Sequence, residues 1–182
     1  MIDPGAPQQM RPASDPDSSP LTVEILWDSP VQDWRQRLDL TDQRIVQAVV
    51  LAAAERGFDS GEIGVRVTDD RSIHEINRRH LSHDYPTDVI SFMYRADGGQ
   101  LEGELVVSID TAAENADQAD WSVAEELLLY VIHGVLHIGG MDDHAPDDRE
   151  AMRRSERAVL QRMGVRTTAD DASASSEGSS VG

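Results

Sequence analysis

The chain has 182 residues, a mass of 20.0 kDa and a formal net charge of −18, which suits one well-packed domain and is short for two. It contains no cysteine, so disulfides and thiolate metal sites are excluded. The acidic balance argues against broad, non-specific affinity for nucleic acid, which depends on neutralising phosphates, but it leaves room for a local basic patch.

The two ends of the chain differ from the middle in composition. Residues 1–20 are rich in proline and poor in apolar side chains, and residues 166–182 are small, polar and acidic. Neither stretch can bury enough apolar surface to offset chain entropy, so both are predicted to be disordered tails around one folded domain at 21–165. The chain has no secretory signal and no apolar run near the ~20 residues of a membrane span, which predicts a cytoplasmic protein without membrane partners.

Hydrophobic periodicity divides the middle of the chain into strands and helices. The order of these elements indicates an α/β (α+β) fold, a single small sheet of about four strands covered by helices. In chain order the pattern predicts a strand at 21–27, a helix at 40–57, a strand at 62–69, a helix at about 71–80, strands at 88–95 and 103–110 joined by a turn containing Asp97, Gly98 and Gly99, and helices at 111–118, 122–138 and 146–163.

The helix that begins at Ser122 carries the strongest signals. The stretch S-V-A-E at 122–125 is a capping box, in which the Ser122 and Glu125 side chains satisfy orphan amides at the helix start. The following LLLYVIHGVLHI is apolar around its whole circumference, which is typical of a helix buried on most sides. The glycine pair 139–140 ends this helix.

Three of the six histidines fall within HGVLHIGGMDDH at 133–144. His133 and His137 are four residues apart, so their side chains share one helix face and can meet one zinc ion. His144, beyond the glycine pair, can return as a third ligand. A three-histidine site with an open position is typical of catalytic zinc, which predicts a site at the end of a buried helix. The alternative is a packed or surface histidine pair without metal.

Gly134, directly after His133, supports two inferences. A glycine in mid-helix costs ~1 kcal/mol relative to alanine, so a close backbone approach is expected there. Zinc peptidases with the helix H-E-x-x-H place their glutamate general base at this position. Its absence argues against peptide hydrolysis by that route.

Three segments resemble the YbeY family of bacterial endoribonucleases and rRNA maturation factors. HGVLHIGGMDDH resembles the family pattern H-G-x-L-H-L-x-G-Y-D-H, with one additional aspartate before the last histidine. INRRHLSHDYPTDVISF at 76–92 resembles L-N-x-x-x-R-x-x-D-x-P-T-D-V-L-S-F, and GELVVSIDTA at 103–112 resembles G-D-I-x-I-S-x-D-T-A.

The resemblance implies a compact α/β domain with one zinc ion per chain, on His133, His137 and His144. It implies a zinc-dependent endoribonuclease, specific for single strands, that acts in rRNA maturation at the 3′ end of 16S rRNA and in ribosome quality control. The implied partners are precursor rRNA, the small ribosomal subunit and its assembly factors, and no DNA. His133 and His137 would be catalytic through the ion.

The chain departs from the family pattern at Leu81, where the family has an arginine. Arg78, Arg79 and His80 are adjacent and could substitute, and the helix register decides which of them faces the site. Arg79 is the predicted catalytic cation, which would offset phosphate charge. This part of the chain is also its densest basic segment and is predicted to bind RNA. The predicted RNA-binding residues are Arg71, Arg78, Arg79, His80 and His83.

Other polar residues have simpler interpretations. Thr87, Asp88 and Ser91 flank a strand and are expected to tie down its ends. The arginines late in the last helix are expected to be solvated and to complement the helix dipole rather than to bind RNA. Those arginines are Arg153, Arg154, Arg157 and Arg162.

Two other functions remain open from the sequence. One is a non-catalytic assembly factor whose zinc stabilises the fold. The leucine at position 81, in place of the family's arginine, favours this alternative. The other is a zinc peptidase, which rests only on the similarity of the histidine helix.

Overall fold

The structure, a computed structural model, describes residues 20–80, 87–119 and 121–166 and contains one four-stranded sheet. The strand order is β1-β2-β4-β3, with β3 antiparallel to β4 and the other neighbours parallel. The predictions for the two tails, apart from Pro20 and Arg166, and those for Leu81 and His83 lie outside the described residues. The strands are β1 (Thr22–Trp27), β2 (Ser60–Thr68), β3 (Val89–Asp97) and β4 (Gln100–Ser108).

Helices account for most of the remaining described chain, and the α/β fold class is confirmed. Within the described ranges no single helix is both long and apolar enough to cross a membrane. Only α4 and α5 taken together reach that length and hydropathy, and they are bent by 116° at their break. The helices are α1 (Gln32–Arg37) after a 3-10 turn (Ser29–Val31), α2 (Asp42–Glu55), α3 (Asp70–His80), α4 (Ile109–Ala119), α5 (Val123–Ile138) and α6 (Pro146–Arg162).

Three local features show where the pattern-based prediction holds and where it fails. The capping box at Ser122 and Glu125 is formed, with each residue bonded to the other's backbone amide. Gly98 and Gly99 both have positive φ, which suits the tight hairpin between β3 and β4.

The strand predicted to reach residue 110 stops at Ser108, because α4 begins at the next residue. The short helices at 29–37 were not predicted, since six residues are too few to show a period.

The main core lies between one face of the sheet and the helices α2, α4, α5 and α6. Alternate residues of β2, namely Ile63, Val65 and Val67, point into this core and are almost fully buried. Helix α5 is its centre, since it contacts α2, α4, α6, β3 and β4. On the opposite face, Ile73 of α3 joins Ile90 and Val106 in a small second cluster.

Helix α5 lies directly against the sheet at Gly134. A Cβ atom there would lie 2.6 Å from Leu105 Cδ2 and 3.0 Å from Val89 Cγ2. The Ser91 hydroxyl also donates a hydrogen bond of 3.3 Å to the Gly134 carbonyl. The close approach expected from the sequence is therefore confirmed, and it fixes the position of the neighbouring histidines over β3.

Gly134→Ala tests this close contact. An alanine normally favours a helix by ~1 kcal/mol over glycine, but here its methyl group would overpack the interface with β3 and β4. We expect the free energy of unfolding to fall by about 1–3 kcal/mol, measured by urea denaturation. An unchanged or higher denaturation midpoint would contradict the packing described.

Candidate metal centre

His133 and His137 lie one turn apart near the end of α5, and their Nε2 atoms face each other at 2.9 Å. Each ring is held from its far side. His133 Nδ1 lies 2.6 Å from Glu156 Oε1 on α6, and His137 Nδ1 lies 2.9 Å from the Met141 carbonyl oxygen. Both side chains are about three-quarters buried, so the two nitrogens meet in a partly shielded position.

The hydrogen bonds determine which ring nitrogens carry protons. A carbonyl oxygen can only accept, so His137 Nδ1 must donate its proton to Met141. An ionised Glu156 likewise accepts from His133 Nδ1. In the neutral rings both Nε2 atoms then present lone pairs toward each other. A proton or a metal ion shared between the two nitrogens satisfies this arrangement, and metal-binding imidazoles are commonly held by such hydrogen bonds on their outer nitrogens.

The charges around His133 also favour a cation. Burial disfavours the imidazolium, but the hydrogen bond and charge of Glu156 outweigh it, with smaller contributions from Asp88 and Asp143, and raise the pKa of His133. Three carboxylates therefore surround a histidine pair on an otherwise apolar helix. Removing Glu156 would leave His133 without its orienting partner.

Among the described residues, the third metal-binding group beside the pair is a carboxylate. Asp143 Oδ2 lies 3.8 Å from His133 Nε2 and 3.7 Å from His137 Nε2, and these three residues form a group that could hold a metal ion. Two imidazole nitrogens and a carboxylate oxygen are ordinary ligands of zinc and other divalent transition metals. The residues present thus fit a divalent ion.

His144 lies on the rim of the same pocket. Its side chain is 86% exposed, its Nδ1 is hydrogen-bonded to Asp142, and it lies 3.7 Å from an Asp143 oxygen. Its role as third ligand stays a prediction. The sequence prediction does not include Asp143, because it aligns His144 with the last histidine of the family pattern and leaves one aspartate as an insertion. An ungapped comparison with H-G-x-L-H-L-x-G-Y-D-H places Asp143 at the last histidine, a signal that sequence reasoning can use.

The start of β3 forms the opposite wall of this pocket, which has a volume of about 560 Å³. Asp88 Oδ1 accepts hydrogen bonds from the Val89 amide and the Thr87 hydroxyl, and the Asp88 carbonyl accepts from the Ser108 amide. Together with the bond from Ser91 to α5, these contacts tie the strand to its neighbours. They agree with the structural role expected for these polar side chains.

The basic segment on α3 is separate from the pocket walls. Arg71 and Arg79 are exposed and both approach Glu75, at 3.8 and 3.6 Å. Neither they nor Arg78 is among the described residues that line the pocket. The catalytic assignment of Arg79, and RNA binding by Arg71, Arg78, Arg79, His80 and His83, stay predictions, and His83 lies in the gap between residues 80 and 87.

The mixed sheet and the histidine pair on its buried helix define an α/β domain with a candidate metal centre at the end of that helix. Residues 31–164 match the family model described as Endoribonuclease YbeY, and the chain belongs to that family.

Two relatives that carry this family's name agree with the assignment, and one solved structure shares the fold. The chain is 47% identical over 154 residues to Endoribonuclease YbeY of Rhodopirellula baltica, covering 81% of this chain and 79% of the relative. It is 39% identical over 129 residues to Endoribonuclease YbeY of Chlorobium luteolum, covering 71% and 92%. The solution structure of TM1509 from Thermotoga maritima shares the fold, with a TM-score of 0.52 and 21% identity over 78% of this chain and 91% of that one.

Glu156→Ala tests whether α6 prepares the metal centre. Loss of a carboxylate that orients a metal-binding histidine commonly lowers metal affinity by about 10–100-fold. We expect a loss of that size for Zn²⁺, measured by competition with a chromogenic chelator. Glu150→Ala is the matched control, because Glu150 lies on the same helix, is exposed and approaches Arg154 rather than a histidine. Equal affinities in the two variants would contradict the role of Glu156.

Proposed function

We propose that this protein is a metal-dependent endoribonuclease that cleaves single-stranded RNA with one zinc ion per chain. The observation that carries the proposal is the convergence of two imidazole lone pairs, each ring held by a hydrogen bond on its other nitrogen. The printed names of its relatives, endoribonucleases, support RNA as the substrate class. A bound divalent ion supplies Lewis acidity toward a phosphate oxygen or a water molecule.

The protein's own residues would hold and orient the reacting groups. Glu156 keeps a proton on His133 Nδ1, and the Met141 carbonyl keeps one on His137 Nδ1, so both Nε2 atoms stay available to the ion. The pocket between α5 and the start of β3 is open to solvent on the side of His144, which gives a single strand access to the ligands.

His133→Ala and His137→Ala are expected to lose bound metal and RNA cleavage together, because each removes one of the two converging nitrogens. The measurement is metal analysis of untagged protein, combined with cleavage of a single-stranded RNA before and after chelation. A tag-free sample is needed because a polyhistidine tag binds metal itself. Retained metal stoichiometry in the double variant would contradict the site.

Asp143→Asn and His144→Asn separate the two candidates for the third ligand. The distances favour Asp143, whose carboxylate already approaches both Nε2 atoms, so we expect Asp143→Asn to lower Zn²⁺ affinity by at least about tenfold. His144→Asn should change it little. The reverse ranking, read by the same chelator competition, would restore the three-histidine site predicted from the sequence.

The biological setting is proposed from the family. We infer that the substrate is precursor rRNA, processed at the 3′ end of 16S rRNA, with a role in ribosome quality control. The partners would be the small ribosomal subunit and its assembly factors, in the cytoplasm. A net charge of −18 supports a selective role, because a strongly acidic protein gains little from non-specific attraction to phosphates.

A non-catalytic, zinc-containing assembly factor is the second candidate. It is favoured by the absence of arginine from the pocket lining among the described residues, and by the leucine at the family's arginine position. It predicts that chelation lowers the melting temperature while purified protein leaves precursor rRNA intact. A peptidase is disfavoured, because the position that would hold its glutamate is Gly134, packed against Leu105 and Val89.

A further inference from the structure

Helix α6 carries a row of arginines beside the metal centre. Arg149, Arg153 and Arg157 are spaced by four residues, so their side chains follow one another along one face of the helix. Together with Pro146 and Glu150 they line an open groove of about 500 Å³. Two further contacts, at either end of this row, connect the groove to the candidate metal centre.

The first connection is made by Arg149 at the start of the groove. Its Nη1 donates hydrogen bonds of 2.5 Å to the His144 carbonyl and 3.3 Å to the Asp143 carbonyl. The second is made by Glu156, which lies between the later two arginines in sequence and contacts His133. The arginine row therefore runs alongside the loop and the helix face that form the metal centre.

The later two arginines are not neutralised by the protein. Within the described part of the chain, the Arg153 and Arg157 side chains make no ion pair or hydrogen bond. Glu150, the one acidic residue lining the groove, approaches Arg154 instead, at 3.4 Å. Adjacent cations without partners repel each other, and in a chain with 34 acidic and 16 basic residues a nearby carboxylate would be easy to supply. Their charge is therefore available to a ligand.

We propose that Arg149, Arg153 and Arg157 form a phosphate-binding row that holds the backbone of single-stranded RNA as it approaches the metal centre. Arginine binds phosphate with a bidentate, planar fork, and four residues advance ~6 Å along a helix, which suits successive phosphates of an extended strand. The row replaces the solvated, dipole-complementing role expected for Arg153 and Arg157 from the sequence. The phosphate-binding row rests on the proposed function in one respect, namely that the bound RNA is the substrate of the metal centre.

The test compares Arg153→Gln/Arg157→Gln with Arg154→Gln/Arg162→Gln. Both double variants lie on α6 and remove two positive charges, but the control pair approaches Glu150 and Glu55 rather than lining the groove with Arg149. The probe is a fluorescent single-stranded oligouridylate, with binding measured by anisotropy at several salt concentrations. Metal content and melting temperature are measured on the same samples.

We expect the groove variant to bind the probe about tenfold more weakly than the control, with a salt slope reduced by about 1.4, since it loses two phosphate contacts and each contributes ~0.7. Equal binding by the two variants, or loss of metal or fold in the groove variant, would overturn the proposal. So would displacement of the probe by polyglutamate as readily as by unlabelled RNA.

The same samples distinguish this proposal from the proposed function. If the wild-type protein binds RNA through the groove but does not cleave it with metal present, the nuclease proposal fails and the phosphate-binding row stands. If the wild-type protein cleaves RNA and the groove variant behaves as the control does, the row is wrong and the nuclease stands.

Discussion

The contact between α5 and the strands β3 and β4 at Gly134 is the constraint on which the other functional features depend. No side chain separates the helix backbone from Leu105 and Val89, so the helix lies directly on the sheet. His133 precedes this contact by one residue and His137 follows it by three, which holds their rings over the start of β3. Close packing of the helix on the sheet therefore fixes the positions of the histidine side chains at the candidate site.

Helix α6 helps to determine which ring nitrogens of the histidine pair carry protons. The carboxylate of Glu156 fixes the proton of His133 on the nitrogen that faces away from the pocket, as the carbonyl of Met141 does for His137. With protons on their outer nitrogens, the two rings direct their inner nitrogens toward each other, an arrangement that fits a shared ion. The same helix presents Arg153 and Arg157 on an adjoining face, so one element both orients a ligand and offers cations beside the site.

The acidity of the protein places a condition on any activity toward RNA. With a net charge of −18, its long-range field repels polyanions, and attraction must come from a few local cations. The arginines of α3 are partly offset by Glu75, whereas those in the α6 groove keep their charge. Any activity toward RNA would then depend on the position of these local cations rather than on general affinity.

The sequence by itself determined the four strands, the helices from α2 onward, the capping box at Ser122 and the need for a close approach at Gly134, because these follow from local periodicity and sterics. Its motifs also indicated the family. Only the tertiary structure decided that β4 lies between β2 and β3, that Glu156 meets His133 across 23 residues, and that Asp143 approaches the histidine pair more closely than His144 does. Such contacts depend on loop conformation and helix packing, which spacing along the chain does not specify.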